Sequence, residues 1–448
     1  MVGMSTNNTV IRRYVLLFLM LGFITSNSLA QFTFSGEVRP RTEYRHGYKS
    51  LPAIKQDNAI YTDQRTRLNA GFKGEGFETF IQFQDIRTWG STSQLNTIDG
   101  FTSLHQAWAI AKIRDKFSFK FGRQEIILDD HRIFGSVAWT QQARSHDAGI
   151  FRYMDSTFTL NVGLAFNQDK PQLTTTLYTV AKNYKAMQYV WLNKVFSKSL
   201  SLSVLFLNNG QQVTVTDPNT GGLIARDNYS QTMGATAKFN KDKLSGRATF
   251  YYQTGVNGDL ANTKIAAYDA RFELAYKLSD KFSVDAGVEL LSGTSQTDTS
   301  SNKKLGTFNP FYGTNHKFNG YMDYFYVGNY TGLGSPGLND IFVGAGYKNG
   351  KKYFVKGQLH FFLAASDVLD VTELANTGLY TAMGSSLGQE LDITFGFPLS
   401  KGVALQGGYS ILNATETMVA LKGGAKNSVS SWGYIMLTVK PNFIGGKK

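Results

Sequence analysis

From Gln31 to Arg45 the chain reads QFTFSGEVRPRTEYR, and its two alternating faces differ sharply. Phe32, Phe34, Gly36 and Val38 fall on one face, while Ser35, Glu37, Arg39, Arg41, Glu43 and Arg45 fall on the other. A period of two belongs to an extended strand. In a soluble sandwich the apolar face packs inward and the charges meet bulk water. In a membrane barrel the apolar face meets lipid and the charges line a wet lumen. The segment alone fits both.

The alternation recurs to the end of the chain. Tyr61 to Phe72 sets Arg65, Arg67 and Asn69 opposite Leu68, Ala70 and Phe72, and the tight turn Lys73-Gly74-Glu75-Gly76 follows. In Glu78 to Gly90, Ile81 and Phe83 share a phase that Asp85 and Arg87 then continue, which predicts a bulge or an exit from the lipid band. Strands are predicted near 104–112, 117–127 and 142–152. In the next, Phe158, Leu160, Val162, Leu164 and Phe166 alternate cleanly with Thr159, Asn161, Gly163 and Ala165. Later segments repeat the scheme: Asp269, Arg271 and Glu273 oppose Tyr268, Ala270, Phe272 and Leu274, and Glu390, Asp392 and Thr394 oppose Leu391, Ile393 and Phe395.

Connections alternate in length. Short turns such as Asn240-Lys241-Asp242-Lys243 and Lys348-Asn349-Gly350-Lys351 are interleaved with long loops at 167–181, 209–228, 254–264, 293–337, 363–386 and 413–430. This predicts about eighteen strands in an all-β, antiparallel up-and-down transmembrane barrel, with short periplasmic turns and long outer loops. A soluble sandwich or propeller gives no reason to segregate loop lengths. A barrel of this size holds an aqueous bore. The loop 293–337, with the aromatic run FNPFYGTNHKFNGYMDYFY, is expected either to fold into or over the mouth or to rest on its rim.

The N-terminus adds a compartment. Arg12 and Arg13, the apolar run Tyr14 to Ile24 and the small-x-small site Ser28-Leu29-Ala30 read as a secretory signal over 1–30, with 31–448 as the barrel. Beyond residue 30 no apolar stretch approaches the roughly twenty residues a membrane helix needs. Mean hydropathy is −0.22, which a barrel tolerates because only alternate strand residues face lipid. With no cysteine, a lipoprotein anchor and a disulfide framework are both excluded.

Charge suggests the chemistry. Arg39, Arg41, Arg45, Arg65 and Arg67 come from two neighbouring strands and are expected to form one basic patch, with Arg123, Arg144, Arg247 and Arg271 extending it around the bore. The formal charge of +13 becomes +11 once Arg12 and Arg13 are set aside. Guanidinium groups fork onto carboxylates and phosphates, so rows of them draw anions. The plainer reading is a ladder of Arg and Glu that merely braces the wall. Nucleic-acid binding fits poorly, because the charge follows strand phase in an exported chain. Enzyme readings are weak: His146-Asp147 is a lone pair, and no Ser-His pair can be placed at the lipid-facing rim. Asp129-Asp130 and Asp367 with Asp370 could hold a divalent cation, but solvated loop carboxylates describe them better, so neither metal nor cofactor is expected.

Several short motifs resemble the bacterial alginate-export porin family: Gln64-Arg65-Thr66-Arg67-Leu68, Gln82-Phe83-Gln84-Asp85-Ile86-Arg87, Gly122-Arg123-Gln124-Glu125, Leu387-Gly388-Gln389-Glu390-Leu391-Asp392 and the run His316 to Tyr326. The resemblance implies an eighteen-stranded outer-membrane channel for an anionic uronate polymer, with Arg65, Arg67, Asp85, Arg87, Arg123 and Arg144 lining the pore. The C-terminus departs from it, running past Phe443 to Gly445-Gly446-Lys447-Lys448. The expected partners are outer-membrane lipid, an anionic saccharide or other small anion, and periplasmic export or uptake proteins. A general porin, or a surface scaffold or adhesin barrel whose loops do the work, are the alternatives.

Overall fold

In the computed structural model, residues 31–181, 183–325 and 334–445 are described. The expected signal at 1–30, Tyr326 at the end of the aromatic run and residues 446–448 lie outside them. The first strands are β1 (Gln31–His46), β2 (Ala59–Lys73), β3 (Phe77–Thr88), β4 (Thr102–Arg114), β5 (Phe117–Gln124) and β6 (His146–Met154). The middle of the chain supplies β7 (Phe158–Phe166), β8 (Ala186–Ser197), β9 (Leu200–Thr216), β10 (Leu223–Lys241), β11 (Leu244–Val256) and β12 (Lys264–Lys277). The last third supplies β13 (Phe282–Leu291), β14 (Leu338–Asn349), β15 (Tyr353–Leu363), β16 (Ser386–Ser400), β17 (Val403–Ala414) and β18 (Ser430–Val439).

Each strand pairs antiparallel with its neighbours in sequence. β1 closes the sheet, bonding β2 from Gln31↔Lys73 to Arg45↔Ala59 and β18 from Val38↔Val439 to His46↔Ser431. After Lys440 and Pro441, β19 (Asn442–Ile444) continues the position of β18 against β1, so the wall has eighteen positions. Closure is required because lipid offers no partner for a free strand edge.

Side chains sort by phase as the sequence predicts. Phe158, Leu160, Val162, Leu164 and Phe166 point outward, while Asn161 on the opposite face is buried in the lumen. Arg65 and Arg67 share the inward phase with Glu37 and Arg39, their register partners.

Three expectations about elements need correction. The stretch 209–228 is not all loop, because β9 and β10 stay paired out to Thr216↔Leu223 as a ribbon beyond their neighbours. The strand predicted at 142–152 starts only at His146, because Glu125 to Ser145 is drawn inside the barrel. Two outer loops carry short, two-turn helices, α1 (Val371–Thr377) and α2 (Glu416–Lys422), capped by Asp370 and Thr415.

The outward phase of β7 gives a direct test. Val162→Arg should cost about 2–4 kcal/mol of folded stability in vesicles, read by denaturant titration, because it sets a charge against hydrocarbon. A change of the same size from Asn161→Ser would contradict this assignment of faces.

Candidate functional site

Two long connections enter the lumen instead of resting on the rim. The first inner loop is 125–145, and the second occupies 292–325 as far as it is described. Loops carry many polar backbone groups, so burying them is costly unless each finds a partner. Here the charged wall supplies those partners.

On β1 and β2 an arginine strip takes up loop carbonyls. Arg39 donates from Nη1 to Ala138 O at 2.7 Å and from Nη2 to Trp139 O and Thr140 O at 3.3 Å. Arg41 donates from Nη1 to Trp139 O at 2.5 Å, stacks on the Trp139 ring at 4.2 Å and pairs with Glu43 at 2.7 Å. Arg65 forks onto Glu37 Oε1 at 2.5 and 2.7 Å. Its Nη1 reaches Ala138 O and Gln141 O at 3.4 Å. Arg67 is held by Gln84 Oε1 at 3.0 Å. All four side chains are buried beneath the loop.

Across the bore, β12 to β16 present a wall of carboxylates. Asp269, Glu289, Asp340 and Glu390 have no exposed surface, and Asp392 has 2%. Arg132 of the first loop donates to Asp269 Oδ2 at 3.0 Å and meets Glu289 Oε1 at 2.8 Å. From the second loop, Asn319 donates to Glu289 at 2.7 Å, Met322 N–H to Glu390 at 2.8 Å and Tyr321 N–H to Asp392 at 3.2 Å. Gly320 fits only because it lacks a side chain: its φ is +80° and a Cβ would lie 2.6 Å from Glu390 Oε1. His360 sits between Asp340 at 2.9 Å and Asp392 at 3.7 Å.

The two loops also grip each other. Gly135 N–H donates to Tyr312 O and Thr314 N–H to His131 O, both at 2.9 Å, and Lys317 Nζ reaches Asp130 O at 2.8 Å. Phe134, wholly buried, packs on Tyr312 and Tyr189 at 5.4 and 5.0 Å. At Gly313 an added Cβ would lie 2.2 Å from Arg132 O, so the crossing is tight. Asp129 anchors the corner by accepting from Ser203 Oγ and Trp191 Nε1. Burial pushes its carboxyl above the usual range, against those two hydrogen bonds.

On the short-turn side of the loops, separate cavities remain. One of about 500 Å³ is bordered by Glu37, Arg67, Asn69 and Gln82. Another of about 440 Å³ lies under Lys317 and Tyr321, between Arg247, Arg271, Lys356 and the carboxylates Glu273 and Asp285.

The structure brings together some of the residues expected in the pore and separates others. Arg39, Arg41, Arg65, Arg67 and Arg271 face the lumen, Arg271 pairing with Glu289 and Glu273 at 2.8 and 2.9 Å. Arg144 lies in the first inner loop, donating to Gly313 O at 3.3 Å. Asp85, Arg87 and Arg123 do not line the pore. Unbroken pairing of β2 with β3 sets Arg65 opposite Ile86, so Asp85 and Arg87 keep the outward phase of Phe83, where Arg87 pairs with Asp85 and Asp99 at 2.5 and 2.7 Å. Of the two expectations there, a bulge or an exit from the lipid band, no bulge forms at Asp85 and Arg87; the one register shift in β3 lies on the β4 side, between Gln82 and Phe83. Arg123 shares the phase of Phe117, Phe119 and Phe121 and meets the exposed Asp147 at 2.8 Å. A one-residue offset in a period of two reverses the face, which short motifs do not register.

Sequence reasoning missed the first inner loop and the carboxylate wall as its seat. A usable signal was present: Asp129, Asp130, Arg132, Phe134 and Trp139 are an unusual concentration of charge and aromatic surface for an outer loop.

The sequence pattern of the family described as alginate export matches residues 30–430. No match was found among curated proteins. Among solved structures, the barrel is similar to a BenF-like porin from Pseudomonas fluorescens Pf-5, with TM-score 0.60 and 11% identity over 92% of this chain and 99% of that one. It is also similar to Pseudomonas aeruginosa OccK11 (OpdR), with TM-score 0.56 and 10% identity over 93% and 96%. Pseudomonas aeruginosa OpdL matches with TM-score 0.57 and 11% identity over 93% and 99%. At such identities the structural likeness speaks for the fold, and the family match speaks for descent. Together they place the chain in the alginate export family, as an outer-membrane channel of porin architecture in the bacterial cell envelope.

Proposed function

We propose that this channel prefers anions and passes carboxylated saccharides of the alginate-like uronate type, by passive diffusion along the arginine strip of β1 and β2. One observation carries the reading: the guanidinium groups of Arg39, Arg41 and Arg65 converge on the carbonyls of Ala138 to Gln141. A row of partly negative oxygens already satisfies those donors. A polymer bearing carboxylates at regular intervals presents the same kind of acceptor with full charge, and a charge-assisted bond is the stronger one. The uronate chain would therefore compete with the loop for the strip, and Arg67, which borders the cavity beside Glu37, would meet it first.

Wall bracing is favoured for Arg271 and Arg132, whose partners are buried carboxylates. Selectivity on this reading resides on the β1–β2 side, and the β12–β16 side serves as the hinge seat of the loops. Transport makes and breaks no covalent bond.

In a planar bilayer under a KCl gradient, the double variant Arg65→Gln/Arg67→Gln should move the reversal potential toward the cation side, and soluble oligouronate should block less current. An unchanged reversal potential would sink the selectivity claim. Arg132→Met should loosen the first loop by about 3–5 kcal/mol, because Asp269 and Glu289 are left buried with one cation fewer. The readout is faster proteolysis between Asp129 and Gln141, together with larger, noisier current.

Acidity tests the loop corner. Because Asp129 has a raised pKa when seated, its protonated form seats better, and that contribution is complete at low pH and fades as pH rises through the seated value. Protection of the loop from protease should thus increase on acidification in the wild type more than in Asp129→Asn. Equal pH profiles would remove Asp129 from this role.

A further inference from the structure

The excess positive charge of this protein is not where the anion pathway is. Setting aside Arg12 and Arg13, residues 31–448 carry +11. Within the lumen and on the inner loops, Arg and Lys are closely matched in number by Asp and Glu, and the outer loops are likewise balanced. Apart from Lys447 and Lys448, which lie outside the described residues, the surplus sits on the periplasmic rim. Seven of the eight short turns carry a Lys or Arg at the connection or beside it, among them Lys198, Lys243, Lys281, Lys351 and Lys401, all exposed. The eighth, between β6 and β7, has none of its own, yet Lys194 on the lipid-facing phase of β8 reaches down to Thr157 Oγ1 in that turn at 3.0 Å. The ring of ammonium groups is therefore complete around the barrel.

A second, independent feature fixes its height in the membrane. Immediately above the turns, outward-facing aromatic pairs form a belt: Phe72 with Phe77 at 5.5 Å, Phe117 with Tyr153 at 5.0 Å and Phe282 with Tyr347 at 4.8 Å. Such a belt lies at the level of the lipid headgroups. The turns and the strand ends beside them also hold carboxylates, Glu75, Glu78, Asp115, Asp155, Asp242 and Asp280, but these are outnumbered by the cations there, and among the described residues the close ion pairs are Lys73 and Lys112 with Glu78 and Lys440 with Glu37.

We infer that the periplasmic rim is a lysine collar that recruits anionic phospholipid headgroups of the inner leaflet. A protein partner would need one arc of the rim, and a polymer would need the mouth. A collar that runs around the whole circumference at headgroup depth matches the annular lipid. Clustered cations beside a membrane attract anionic lipid in proportion to their number, and long lysine side chains reach the phosphates while their stems stay against the belt.

The test uses the full-length protein folded into vesicles of equal phosphatidylcholine and phosphatidylglycerol, then released for native mass spectrometry of retained lipid. The wild type should hold phosphatidylglycerol over phosphatidylcholine by roughly threefold, with the preference fading as salt is raised. The combined change Lys198→Gln, Lys243→Gln, Lys281→Gln and Lys351→Gln should return the ratio to that of the vesicle, while the same four positions changed to Arg should keep it. Channel conductance checks that both variants are folded, and the salt dependence of the wild type carries the test if the Gln variant is not. No enrichment in the wild type, or undiminished enrichment in a folded Gln variant, would overturn the collar. Displacement of phosphatidylglycerol by soluble oligouronate would overturn it too, by assigning the rim to the polymer.

Discussion

A loop can enter a barrel only if its peptide groups find hydrogen-bond partners there, and this constraint organises the interior. Carbonyls of the first inner loop are met by guanidinium groups on β1 and β2, while amides of the second are met by carboxylates on β16. The loops thus bring to the wall the two halves of their backbone dipoles. Each half is received by charge of the opposite sign.

The polarity of the wall follows from that division of labour. Arginines gather where carbonyls arrive and carboxylates where amides and Arg132 arrive, so the lumen is nearly neutral in sum and strongly polar from side to side. An anion moving through such a space experiences a transverse field and a basic strip, without a net basic tube. The strip is occupied by a backbone that mimics weakly what a uronate chain would offer strongly. On the proposed function, the solute would take the place of part of the protein along this strip.

Much of the fold is legible in the order of residues because lipid imposes a strict rule. Each strand must alternate, each edge must pair, and short and long connections must fall on opposite sides, so Phe158 to Phe166 and Arg65 with Arg67 declare their faces directly. Asp85, Arg87 and Arg123 were legible by the same rule, since each continues an apolar phase. Asp85 and Arg87 were assigned to the pore by motif likeness, which is blind to a shift of one residue, and Arg123 by its charge as well as by its motif; the ladder pairing reverses all three.

The course of the inner loops was not legible. Loops have no period, and whether Asp129 to Gln141 stays outside or crosses the bore depends on partners more than a hundred residues away, such as Asp269 and Glu289 for Arg132. The amino-acid order by itself determined a closed, two-faced cylinder with an arginine-rich first pair of strands, because that outcome needs only neighbours in sequence and the contrast between oil and water. Only the tertiary structure decided that those arginines hold a loop and that a buried carboxylate wall answers them across the lumen, because both depend on distances set by closing the sheet.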